Sequence, residues 1–232
     1  MIEIRPFDSL GAANHGWLDA HHHFSFAGYY DPARMGWGAI RVWNDDTIAA
    51  KSGFPPHPHD NMEIVTYVRT GAITHEDSLG NRGRTGAGDV QVMSAGTGIR
   101  HAEFNLEDEA TTLFQIWIEA DRRGEKPGWS QREFPSSTRE GGFEVLAAKA
   151  GSDDETLPIN ADARVAAVTL EAGQNAKWTT EPGRHVYLVA AKGRITVNGK
   201  EANARDGVAV TGEDRLTVEA IEPAEVILVD AR

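Results

Sequence analysis

Along this chain, short alternating apolar and polar segments recur between turn residues. Examples lie at residues 63–69, 90–93, 113–118 and 186–190. Side chains in a strand point to opposite faces with a period of two, so each segment reads as a strand with one buried face. The run from Arg194 to Lys200 carries Asn198-Gly199, the strongest short hairpin signal. Many short strands joined by glycine-rich turns predict an all-β sandwich or barrel with few short helices. A short helix near residues 60–63 is the one helical alternative that the pattern admits.

A domain boundary is expected between Pro127 and Ser152. Gly124, Pro127, Gly128, Pro135-Ser136-Ser137 and Gly141-Gly142 interrupt the pattern there. This divides the chain into residues 1–135 and 136–232. A weak repeat crosses the boundary: Glu63 precedes Gly71 as His185 precedes Gly193. Superimposing the two sets Thr179 against His57 and Glu181 against His59. Asp206-Gly207-Val208-Ala209-Val210 then echoes Gly88-Asp89-Val90-Gln91-Val92. A duplicated barrel in which only the first copy kept its histidines accounts for this.

Composition narrows the chemistry. The chain has 232 residues, enough for two domains that each bury a core. Lys and Arg number 23 against 35 Asp and Glu, a net charge of −12, which repels phosphate backbones and argues against direct nucleic-acid binding. The absence of cysteine excludes disulfides, thiolate metal sites and cysteine nucleophiles. Any metal must therefore be held by nitrogen and oxygen. The charged start Met1-Ile2-Glu3-Ile4-Arg5-Pro6 lacks an apolar signal core, and runs such as residues 186–191 are too short to span a bilayer. A cytoplasmic protein without a membrane partner is the expectation.

Eight of the nine histidines precede the boundary. In Gly53-Phe54-Pro55-Pro56-His57-Pro58-His59 the two imidazoles stand at i and i+2, on one face of an extended strand that the prolines favour. His101 and Glu103 stand at the same spacing after the turn-forming Gly96-Thr97-Gly98. Either pair alone reads as solvated polar residues. Together they converge four donors from two strands on one ion with open positions, a set suited to iron(II) and also to manganese, cobalt, nickel, copper or zinc. Glu63, four residues after His59, is expected beside them as a ligand, a proton acceptor or a partner of a histidine. A non-ligand role is favoured, because two carboxylates and three imidazoles overfill a reactive site.

The spacing Gly53-x3-His57-x-His59-x3-Glu63-x7-Gly71, followed by Gly98-x2-His101-x3-Asn105, resembles paired cupin motifs. Residues 13–19 (Ala-Asn-His-Gly-Trp-Leu-Asp), 24–32 and 94–101 resemble the pirin family, most closely its bacterial quercetin 2,3-dioxygenase members. The likeness is strong to about residue 135 and weaker beyond. It implies two cupin barrels in tandem, the N-terminal one (1–135) with a metal site and the C-terminal one (136–232) without. It implies His57, His59, His101 and Glu103 as ligands, iron as the usual metal, and cleavage of a flavonol such as quercetin by O2 with release of carbon monoxide. Glu103 or Glu63 would act as the base. The alternative is a non-catalytic, redox-sensitive iron protein that binds a protein partner, including regulators of transcription.

Other polar motifs carry less. His21-His22-His23 reads as structural or at a pocket edge, and His75-Glu76-Asp77 as solvated residues at a strand end. Gln115 fits a core strand or a pocket wall equally. The six tryptophans read as core, and Phe54, Met93 and Phe114 as candidate pocket walls.

Overall fold

A computed structural model describes residues 1–134, 139–151 and 156–232. The Pro135-Ser136-Ser137 boundary signal lies outside the described residues. The strands are β1 (Ile2–Arg5), β2 (Gly11–Asn14), β3 (Leu18–His22), β4 (Ile40–Ile48), β5 (Ser52–His59), β6 (Met62–Thr70), β7 (Ala72–Asp77), β8 (Arg82–Gly86), β9 (Val90–Ser94), β10 (Ile99–Asn105), β11 (Thr111–Glu119) and β12 (Gly128–Arg132). They continue with β13 (Glu144–Lys149), β14 (Leu157–Ile159), β15 (Ala163–Leu170), β16 (Asn175–Thr179), β17 (His185–Lys192), β18 (Ile195–Val197), β19 (Lys200–Ala202), β20 (Gly207–Thr211), β21 (Arg215–Ala220) and β22 (Ala224–Ala231). One 3-10 turn, Phe7–Ser9, is the helical content of the described residues. No helix forms at residues 60–63. Asn61 adopts a positive φ of 48° there and turns β5 into β6.

Each half pairs a seven-stranded sheet with a four-stranded one. The first half has the orders β12-β9-β6-β11-β4-β3-β2 and β5-β10-β7-β8. The second has β1-β20-β17-β22-β15-β13-β14 and β16-β21-β18-β19. Strand for strand, β9-β6-β11-β4 corresponds to β20-β17-β22-β15, and β5-β10-β7-β8 to β16-β21-β18-β19. The repeat seen in the sequence is thus a repeat of architecture. Glu63 and His185 lie at the starts of equivalent central strands. Gly71 and Gly193 follow them at φ 73° and 77°, a conformation that favours glycine. The Asn198-Gly199 hairpin forms between β18 and β19 with both residues at positive φ, 46° and 80°, as a type I′ turn requires. β1 pairs with β20, so the first strand of the chain completes the large sheet of the second half.

The two large sheets face one another across one apolar core. Trp43, Tyr67, Phe114 and Ile116 of the first half meet Val165, Tyr187, Ile227 and Val229 of the second. Buried among them is Asp45, whose carboxylate accepts from Arg69 of its own half and from Arg205 Nε of the other at 2.5 Å. A second apolar cluster fills the C-terminal barrel. Its strands β16 and β21 send Ala176, Trp178, Leu216 and Val218 inward. Asp230, fully buried, anchors Trp178 Nε1 at 2.8 Å and Arg184 Nε at 2.5 Å.

The N-terminal barrel is layered instead. Leu18, Ala20, Ile48, Val68, Ile73 and Leu113 pack at one level. Ile64, Met93, Ala95 and Ile99 pack at another. The inward positions between them on the same strands are Thr66, His75, Gln91, His101, Glu103 and Gln115, all buried. The barrel thus encloses a polar layer between two apolar ones.

Removing one partner of a buried ion pair leaves the rest uncompensated, at a cost of about 3–5 kcal/mol. Asp45→Ala should therefore destabilise the protein by about 3 kcal/mol, the low end, because Arg205 is 30 % exposed and can rehydrate. Urea unfolding checks this; a loss under about 1 kcal/mol would show that Asp45 does not clamp the two halves.

Candidate metal centre

The polar layer follows from strand pairing. Among the described residues β5 pairs only with β10, as the edge of its sheet, which is where proline is tolerated because a missing N–H costs no ladder bond. His57 stands opposite His101, but Glu103 stands opposite Phe54. One residue of β10, Ala102, thus faces two of β5, and the resulting bulge holds Pro55 and Pro56. Gly53 lets the two strands close up, since a Cβ there would lie 2.2 Å from the carbonyl oxygen of Glu103.

One donor atom from each of His57, His59 and His101 lies within 4.8 Å of the others. His57 Nε2 and His101 Nε2 are 3.0 Å apart. His57 Nδ1 donates to the carbonyl of Pro55 at 2.9 Å, which leaves its Nε2 as the lone pair. Burial and the neighbouring rings of His101 and His57 push His59 down to about 4. Burial, His57 and His75 push His101 down to about 3. The rings of His59 and His101 are therefore neutral at ordinary pH, the form that binds metals. Two nitrogens 3.0 Å apart, each about 2.1 Å from an ion, subtend roughly a right angle there, so the donors fit a divalent cation.

Glu103 is buried beside them and groups with His101 and His75 as a second possible donor set. Its Oε1 accepts from Gln91 at 2.7 Å and Thr66 at 3.4 Å, and its Oε2 accepts from Gln115 at 2.6 Å. Gln115 also lines a cavity of about 360 Å³ walled by Trp17, Leu18, Phe26 and Phe54. Asp46 lies in the same wall. Burial and the nearby carboxylates of Asp45 and Glu103 hold its carboxyl well above the usual range.

Known proteins match this arrangement along the whole chain. The pirin family model matches residues 4–118, and the model of the quercetinase C-terminal cupin domain matches residues 145–231. A pirin-like protein of Caulobacter vibrioides is 58 % identical over 231 residues, covering 100 % of both chains. The chain belongs to the pirin family. A quercetin 2,3-dioxygenase of Escherichia coli is 42 % identical to this pirin, with 99 % of this chain and 98 % of that protein covered. The crystal structure of a bacterial pirin from Escherichia coli in complex with nickel(II) superimposes with a TM-score of 0.93 at 40 % identity, covering 100 % of this chain and 99 % of that one.

Not every residue singled out in the sequence of this pirin reaches the layer. Glu63 does not. It lies on the opposite face of β6, accepts from Ser94 Oγ at 2.5 Å and hydrogen bonds with Asn160 of the second half. Burial raises its carboxyl. The parity counted from His59 fails because the Asn61 turn resets it. Phe114 likewise faces the core between the halves. His185 sits edge-on to Trp37 at 5.5 Å, also between the halves. His75 and Asp77 correct the expectation of solvated residues, since both side chains are fully buried. Trp129 stacks on His75 at 4.8 Å and Trp117 meets His59 edge-on at 4.9 Å. The same i, i+2 spacing that marked His57 and His59 also marks His75 and Asp77.

The depressed histidines make stability depend on pH. An unfolded chain protonates them near 6.5, before the fold does, so their contribution is complete above about pH 6.5 and is lost as pH falls toward 4. The metal-free protein should therefore lose stability between pH 6.5 and 4.5 more steeply than its His59→Asn variant. Urea midpoints across that range check this, and equal slopes would refute it.

Proposed function

We propose that this pirin is a metal-dependent dioxygenase that cleaves a flavonol such as quercetin with O2 and releases carbon monoxide. What supports the reading above all is a cluster of three imidazoles, with a buried carboxylate beside it, near an apolar cavity whose wall includes Gln115, the donor to Glu103, and Phe54, beside His57. His57, His59 and His101 would hold one divalent ion, with Glu103 as the fourth donor. Iron(II) is the metal proposed. A set of nitrogens with one carboxylate also suits manganese, cobalt, nickel, copper and zinc.

A bound divalent ion supplies acidification of a hydroxyl beside it, as it does for water. The protein does the rest. Trp17, Phe26 and Phe54 offer flat apolar surface to aromatic rings and exclude water from them. Glu103 is the base that takes the hydroxyl proton. The amides of Gln91 and Gln115 hold its two oxygens from opposite sides, which fixes where the proton is received. Gln115 reaches both the cavity and Glu103, so it couples ring binding to the base. Glu63, on the far face of β6, takes no part.

Elemental analysis should find one metal per chain in the wild type and none in His57→Ala or His101→Ala. Oxygen uptake with quercetin should require the metal, and Glu103→Gln should lower turnover by about 10²–10⁴-fold, the usual worth of a general base. Full metal occupancy in both histidine variants would refute the centre. A fully loaded wild type that consumes no oxygen with quercetin would refute the dioxygenase and leave a metal-bearing partner of another protein.

A further inference from the structure

His75 belongs to no ligand set that the function above uses, yet it is the most constrained histidine in the layer. Its side chain is fully buried on β7. The indole of Trp129 lies over it at 4.8 Å with the planes 7° apart, which fixes the ring plane. Its Nε2 meets Asp77 Oδ2 at 2.9 Å. Asp77 is itself pinned: its Oδ1 accepts from the backbone N–H of Leu79 at 2.9 Å and of Asn81 at 3.1 Å, and its Oδ2 from Asn81 Nδ2 at 2.9 Å. The other nitrogen of His75, Nδ1, faces His101 Nδ1 at 3.4 Å.

These contacts have one consistent direction. A carboxylate only accepts, so His75 Nε2 carries the hydrogen toward Asp77. In a neutral ring Nδ1 of His75 is then a lone pair, and His101 Nδ1 must supply the hydrogen between them. That leaves the lone pair of His101 on Nε2, the atom 3.0 Å from His57 Nε2. Proline carbonyl 55 imposes the same tautomer on His57 from its side. Both rings thus aim lone pairs at one point before any ion arrives.

We propose that Asp77 and His75 form a positioning relay that fixes His101 as its Nδ1–H tautomer and presents Nε2 to the metal. This rests on the reading of His101 as a ligand. The relay acts through His101 and touches neither ion nor substrate. Its closest chemical stand-in is asparagine at 75, whose side-chain oxygen can occupy the place of Nδ1 as an acceptor, whereas leucine fills the space without one.

Two measurements on metal-free protein, wild type, His75→Asn and His75→Leu, test the relay. Nitrogen-15 NMR of the histidine rings should show His101 as the Nδ1–H tautomer in the wild type and in His75→Asn, and as the Nε2–H form or a mixture in His75→Leu. Calorimetric titration with nickel(II) should show His75→Leu about 10–100-fold weaker, the usual cost of losing such a partner, and His75→Asn restored to within a few-fold. Wild-type affinity and an unchanged tautomer in His75→Leu would overturn the relay, as would equal losses in both variants, which would mark His75 as packing alone. If the wild type binds no nickel(II), the metal centre falls, while the ring spectra of the metal-free protein still decide the relay.

Discussion

A carboxylate sealed inside a barrel is the constraint around which the N-terminal half is built. Glu103 is 2 % exposed, and burying such a group is costly unless each oxygen finds donors. Gln91, Gln115 and Thr66 supply them from three different strands. The strands must therefore hold these residues at one level, which forces their other inward side chains into an apolar layer above and another below. On β6 this gives Ile64, Thr66 and Val68; on β11 it gives Trp117, Gln115 and Leu113. The histidines enter at the level that the carboxylate defines.

The second barrel shows what the same frame becomes without that constraint. β16 and β21 pair in unbroken register, with Thr179 opposite Arg215, and send Trp178 and Leu216 inward. β5 and β10 break register at Pro55 and Pro56, and that break turns His57 and His59 toward His101. A bulge beside a functional site re-aims side chains in this way, and the edge position of β5 lets prolines hold it. Two barrels of one topology thus differ at this edge, where a register shift in the first brings three imidazoles together and the second keeps its register.

How much of this was legible depended on distance along the chain. The i, i+2 pairs at His57 and Glu103, the Asn198-Gly199 hairpin and the repeat anchored by Gly71 and Gly193 are local signals, and they read directly. Glu63 misled because parity cannot be carried through a turn, and one left-handed residue, Asn61, sends its side chain to the other face of the next strand. His75 and Asp77 were hidden differently. Their spacing matches that of His57 and His59, but burial comes from β10, β8 and Trp129, which are distant in sequence. The pairing of β1 with β20 is beyond any local pattern, since it joins the two ends of the chain.

Charge balance links the layer to the kind of molecule it suits. His59 and His101 offer neutral rings, and Glu103 is held by donors on both of its oxygens. Asp46, in the cavity wall, is pushed toward its neutral form by burial and by Asp45 and Glu103. Under the proposed function, a divalent ion at the histidines would meet one carboxylate, Glu103, and would keep an excess of positive charge in a poorly screened interior. A second fixed anion at Asp46 would compete with a ligand's oxygen for that charge. A phenolic hydroxyl that passed its proton to Glu103 would leave the net charge of the site unchanged and move its one negative charge from the glutamate onto the ligand's oxygen, while an apolar ring would meet the walls of Trp17, Phe26 and Phe54. A carboxylate ligand would need no base, so under the proposed function a glutamate held at both oxygens suits a ligand that arrives protonated and exchanges its charge with Glu103.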